Sequence, residues 1–175
     1  MSSGEEIRIA DVVSDRGSLE PILRESFEGW YLRHSLRTLG EVETVRGAEM
    51  SGKKVGLTML KTLDGGVGYL YYLAVQRVHR RKGIGGKLID DAVECFRKQG
   101  VREVYASVEN EEAIHLFSSK GFLRTDFGEV SRRYGLFRAV SMYRNMLSVP
   151  GEVLFRLELG QNGDLTFSRA GLQPS

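Results

Sequence analysis

The chain has 175 residues, 41% hydrophobic and 27% charged, which fits one globular domain and excludes a disordered or collagen-like polymer. Its 25 Lys and Arg against 23 Asp and Glu leave a formal charge of +2, so a surface-wide nucleic-acid footprint is excluded and any anion site must be local. A single cysteine, Cys95, and no Cys/His zinc spacing predict a reducing compartment and a metal-free fold. Residues 1–17 lack a basic stretch followed by an apolar core, so no secretory signal is read. The longest nearly uncharged apolar stretch, Gly65 to Val75, is far short of the ~20 residues a membrane span needs, and a soluble cytoplasmic protein is expected.

In chain order, residues 5–13 alternate as a first strand. A helix should begin near Ser18 with Pro21 in its first turn, where a missing N–H costs nothing. Leu19, Ile22, Leu23, Phe27, Trp30 and Tyr31 then recur at three- and four-residue steps, giving one helical stripe or two short helices broken near Gly29. From Glu41 to Val75 the period becomes that of three strands, cut at Ser51-Gly52 and Asp64-Gly65-Gly66. Lys82 to Gly100 reads as an amphipathic helix with Ile84, Leu88, Ala92 and Phe96 on its apolar face. A strand over residues 101–108 follows, then a helix capped by Asn110 and closed at Gly121. Two more strands are predicted around Phe122 to Gly128 and Arg138 to Leu147. Pro150-Gly151 marks a boundary, and the runs flanking Gly160-Gln161-Asn162-Gly163 predict a C-terminal β-hairpin. The expected division is a core over 1–149 and a hairpin extension over 150–175.

The chemically informative stretch joins the third of the middle strands to the helix after it: His79-Arg80-Arg81-Lys82-Gly83-Ile84-Gly85-Gly86-Lys87. Glycines there let backbone approach a ligand closely, while free N–H groups and the helix dipole point outward, an arrangement that binds phosphate oxygens. An ordinary turn with surface arginines is the alternative. A Walker loop is excluded, because Arg81 and Leu88 stand where it needs Gly and Ser or Thr; a dinucleotide fingerprint would need glycine at Leu88.

The segment resembles the cofactor loop of the GNAT superfamily of acyl-CoA-dependent N-acyltransferases, Arg/Gln-x-x-Gly-x-Gly/Ala, here Arg80-Arg81-Lys82-Gly83-Ile84-Gly85. Leu73-Ala74-Val75 precedes it as in that family. A second family block follows as Asn110, Ala113, Leu116, Phe117, Gly121 and Phe122, so the resemblance covers about a third of the chain. Residues 140–147 resemble the family's last core strand. The implied fold is α+β: a mostly antiparallel twisted sheet of about seven strands flanked by helices, plus the hairpin.

The resemblance implies an N-acetyltransferase that moves an acetyl group from acetyl-CoA, with no metal, to a primary amine on a small molecule or a peptide N-terminus. Backbone amides from Arg81 to Gly86 would hold the coenzyme pyrophosphate, with Arg80, Arg81 or Lys82 screening its charge and Lys87 close by. Leu73, Ala74 and Val75 would pair with the pantetheine arm, as would Asn110, although that asparagine also serves as a helix cap. Family members often place a base or water-ordering residue where this chain has Tyr69 and Tyr105. Phe117 stands where many have a tyrosine that assists the leaving thiolate; Tyr134 or Tyr143 could substitute, or a thiol near pKa ~8.5 could leave unassisted. Glu41, Glu43 and Glu49 are further base candidates. His79 is expected in solvent, and residues 27–40 and 124–138 are expected to form the acceptor pocket. The alternative is a coenzyme-binding sensor or interaction module. No nucleic-acid or membrane partner is expected, and the exposed hairpin edge suggests a dimer.

Overall fold

The computed structural model describes residues 6–146 and 150–160. Strands β1 (Arg8–Asp11), β2 (Thr44–Met50), β3 (Lys53–Leu63) and β4 (Val67–Val75) run antiparallel in sequence. β5 (Glu103–Val108) lies parallel to β4, and this pairing needs a crossover, which α3 (Ile84–Lys98) provides. With β6 (Leu123–Thr125) and β7 (Val153–Glu158), the sheet formed by the described residues has seven strands in the order β1-β2-β3-β4-β5-β7-β6.

The stripe beginning at Leu19 divides into α1 (Glu20–Ser26) and α2 (Gly29–Glu41), because Phe27 is extended and Gly29 adopts φ +55°. Both helices cover one sheet face over Leu57, Met59, Tyr72 and Ala74. α3 and α4 (Glu111–Ser119) cover the opposite face, where Ile89, Phe96, Val104, Phe117, Phe122 and Phe155 pack together. Each such aliphatic or aromatic side chain contributes about 1.5–3 kcal/mol when fully buried, so these contacts fix which way α3 points.

Two predicted strands differ in the structure. Arg138 to Leu147 is predicted as a strand, yet Leu136–Met146 is helix α6, with Ala139, Met142 and Met146 buried at helical spacing. The last core strand is therefore β7. Of residues 122–128 only Leu123–Thr125 is strand, since the Asp126 carboxylate accepts from the Glu129 N–H at 2.8 Å and opens α5 (Phe127–Tyr134). α5 and α6 pack over Val67, Tyr69, Tyr105 and Leu154.

The expected division at Pro150 also changes. β7 pairs with β5 from Glu103↔Glu158 to Val108↔Val153 and with β6 on its other side, so Val153–Glu158 is an interior strand rather than a limb of an appendage. The second limb of the predicted hairpin lies outside the described residues.

Candidate active site

The cleft arises where the parallel pair separates. β4 and β5 are in register from Val67↔Glu103 to Leu70↔Ala106, after which β4 continues against β3 as far as Val75 while β5 stays with β7. A bulge lies at the point of divergence: Met59 faces Tyr72 and Leu60 faces Leu70, which makes Tyr71 an extra residue. Bulges bend a strand and re-aim its side chains. Here Tyr69, Tyr71, Tyr72 and Ala74 all serve the α1/α2/α5/α6 face, whereas Leu70 and Leu73 serve the α3 face. Two cavities, of 440 and 150 Å³, open in this gap and share Phe27, Leu73, Asn110 and Ala113.

The larger cavity meets the N-terminus of α3. Gly83 caps the helix at φ +78°, and the first helical bond runs from Lys87 N–H to Gly83 O at 3.1 Å. The N–H groups of Ile84, Gly85 and Gly86 are left without intrahelical partners. Arg81 sits in the left-handed region at φ +59°, a conformation that costs a non-glycine residue about 1 kcal/mol or more and recurs where a binding turn demands it. A Cβ on Gly85 would lie 3.1 Å from Leu116 Cδ2, so any larger residue there presses on this wall. Arg80 is held against the strand end by its Nε donating to Val75 O at 3.0 Å. His79 lines the cavity too, half-buried instead of in solvent, with Nδ1 lacking a hydrogen-bond partner. Free amides, a helix dipole and two guanidinium groups suit phosphate oxygens, and the cavity runs from there along Leu73–Val75.

The smaller cavity is aromatic and acidic. Trp30, Tyr31 and His34 of α2 face Tyr69 and Tyr72 of β4, with Glu109 and Glu152 beside them. Tyr31 Oη donates to Glu152 Oε1 at 3.1 Å, and burial together with the Glu152 and Glu109 charges pushes its hydroxyl up to about 12. Burial also raises the Tyr69 hydroxyl, so this group stays protonated and acts as a hydrogen-bonding phenol.

The predicted site residues divide along this geometry. Leu73, Ala74, Val75, Arg80, Arg81, Gly83, Ile84, Gly85, Gly86 and Asn110 all line the larger cavity. Lys82 and Lys87 are exposed and do not. Asn110 lines both cavities and also caps α4, its Oδ1 accepting from the Ala113 N–H at 2.9 Å. Phe117 borders the smaller cavity from within the core, its ring edge-on to Phe122 at 5.1 Å.

Tyr69 and Tyr105 are register partners, but only Tyr69 reaches the cleft. Tyr105 is fully buried and donates to Glu103, whose carboxylate also receives Tyr134 and lies 3.0 Å from both Arg133 and Arg156. That ionic cluster consumes Tyr105 and Tyr134 as structure. Tyr143 packs edge-on to Phe127 at 4.9 Å, away from the cleft. Of the expected acceptor segments, 27–34 contributes and 124–138 does not; Glu109, Met146 and Glu152 stand in its place. Glu49 is paired with Lys54 at 2.8 Å on β2.

A family model described as the acetyltransferase (GNAT) family matches residues 10–122. Similar solved structures include the PaiA N-acetyltransferase of Thermoplasma acidophilum in complex with coenzyme A, with TM-score 0.66 and 16% identity over 88% of this chain and 99% of that one. The ribosomal-protein-S18-alanine N-acetyltransferase of Escherichia coli gives 0.66 and 17% over 90% and 98%. A GNAT family acetyltransferase of Elizabethkingia anophelis with acetyl-CoA bound gives 0.64 and 16% over 87% and 98%. At these identities the structures attest the fold, while the family match spans well over half the sequence, from β1 through the strand pair that forms the cleft to the end of the second motif. The chain belongs to the acetyltransferase (GNAT) family.

Proposed function

We propose that the protein transfers an acetyl group from acetyl-CoA to a primary amine by direct attack on the thioester. The observation that carries this reading is one cleft with two chemically opposite ends. An amide-rich, arginine-flanked helix terminus lies at one end and an acidic aromatic chamber at the other.

In this reading the amides of residues 81–86 and Arg80 hold the coenzyme's pyrophosphate, and the strand edge from Leu73 to Val75 orients its extended arm. An amide on that edge polarises the thioester carbonyl, a contribution of about 3 kcal/mol when well aligned. Glu109 and Glu152 concentrate a cationic acceptor at the chamber mouth, and Tyr69 orders the entering amine or a water beside it. The C–N bond forms as the C–S bond breaks. With Phe117 unable to donate, the thiolate leaves unassisted, as its pKa of ~8.5 permits near neutrality.

The acceptor is a small-molecule amine or a peptide N-terminus; the E. coli relative named for an S18 alanine makes the latter one acceptor to assay. Incubating the pure protein with acetyl-CoA and an alkylamine, a diaminoalkane or an alanine-initiated peptide should release coenzyme A thiol above the acceptor-free rate. Coenzyme binding by calorimetry without release from any acceptor would refute transfer and support the second reading, a coenzyme-binding sensor. That reading is favoured by the buried Phe117, which leaves the leaving-group position without a hydroxyl.

A further inference from the structure

We propose that Tyr72 and His34 form the proton relay for this reaction, carrying the proton of the acceptor ammonium out of the cleft. The proposal rests on the acetyl-transfer reading. Tyr72 Oη and His34 Nδ1 are 2.7 Å apart, and both residues line the smaller cavity. His34 also lines a separate polar cavity of 420 Å³ with Thr38, Glu41, Glu43, Lys61 and Arg144, so its ring, together with Tyr71, stands between the chamber and that polar space. Trp30 stacks on the imidazole at 4.9 Å with only 10° between planes, which holds the ring edge toward Tyr72.

The balance of the step is simple. The acceptor ammonium gives a proton to Tyr72 Oη as Tyr72 passes its own to His34 Nδ1, leaving a neutral amine, an intact phenol and an imidazolium. The imidazolium returns its proton to water in the polar cavity. The neutral amine then attacks, C–N forms, C–S breaks to release the thiolate, and the second nitrogen proton passes to water.

An alkylammonium titrates near ~10.4, so an imidazole at its reference pKa of ~6.5 faces a deficit of about 4 units and the lowered His34 faces more, an uphill uptake that release into the outer polar cavity completes. Burial lowers His34, helped by Arg37 and opposed by Glu41, which keeps the imidazole neutral and receptive at pH 7. The charged and titratable groups facing it are Arg37 and Glu41 of its own helix, Tyr72 and Tyr71 of β4, Glu43 before β2, Lys61 of β3 and Arg144 of α6. Tyr72 is too basic to ionise by itself and acts only as a conduit.

The test is the pH profile of acceptor-dependent thiol release for the wild type, His34→Gln and Tyr72→Phe, using the acceptor that turns over fastest. A positioned base contributes about 10²–10⁴-fold. Each variant should lose about 100-fold in kcat/KM at pH 7 and recover as pH approaches the amine's own pKa, about 10. Coenzyme A affinity should hold in both, since neither residue lines the larger cavity. A loss that is equal at all pH values, or an unchanged profile, overturns the relay while leaving acetyl transfer standing. Wild-type protein that releases no thiol overturns both. In the wild type, nitrogen NMR should show His34 titrating below 6.5 and responding to Tyr72→Phe; a ring that ignores that substitution also overturns the relay.

Discussion

The two ends of the cleft are built from different materials. At the start of α3 the cavity-facing groups are main-chain N–H groups, set by a left-handed Arg81-x-Gly83 turn beside Gly85. At the aromatic end they are side chains contributed by α2, β4, the β5–α4 turn and the segment before β7. A backbone site is altered by added volume more than by changed charge, whereas a side-chain site can be retuned one residue at a time. A family that keeps one coenzyme and varies its acceptor is expected to use materials in this way.

The largest test of the contrast is Gly85→Trp. An indole pushed against Leu116 and Leu73 should reduce coenzyme A affinity at least 100-fold by calorimetry, with an unchanged far-UV circular dichroism spectrum; retained affinity would break the assignment of that end. At the other end, Glu152→Gln removes a carboxylate that Tyr31 engages at 3.1 Å. Hydrogen bonds to charged groups contribute about 1.5–3 kcal/mol, so KM for a cationic acceptor should rise about tenfold while coenzyme affinity stays put. A parallel loss of both would mean that the ends are not separable.

Asn110, which borders both cavities, gives the smallest effect and the sharpest discrimination. Asn110→Ala should cost about 1 kcal/mol in denaturant unfolding from the lost α4 cap, and Asn110→Ser should restore it. If coenzyme affinity falls in both variants while stability falls only in the first, the asparagine holds ligand as well as helix.

Legibility in the sequence followed the same division. The phosphate-suited turn was readable because backbone geometry leaves a glycine pattern in consecutive residues. The aromatic end was not, because His34, Tyr72, Glu109 and Glu152 are brought together only by the fold, and the bulge at Tyr71 that turns Tyr72 toward α2 has no glycine or proline to announce it. The middle strands and their turns were visible from period and turn residues. The helical period of α6, Ala139, Met142 and Met146, stands in the sequence, and the strand expected there rests on the resemblance to the family's last core strand instead. Helix α5 did carry a signal: Asp126 and Glu129 have capping-box spacing. Tyr105 shows the limit of motif transfer, since a buried carboxylate two residues away claims its hydroxyl.

The placement of β7 also bears on how the chain is made. β5 and β6 emerge from the ribosome before the strand that must lie between them. At about 5–20 residues per second, the fifty or so residues from Val108 to Glu158 take about 3–10 s, and through that interval the apolar edge of β5, with Val104, Ala106 and Val108, has no partner. Nascent chains of this protein therefore spend seconds with a pairing-competent strand exposed, and holdase chaperones acting at the ribosome should matter more for its yield than the stability of the finished sheet would indicate.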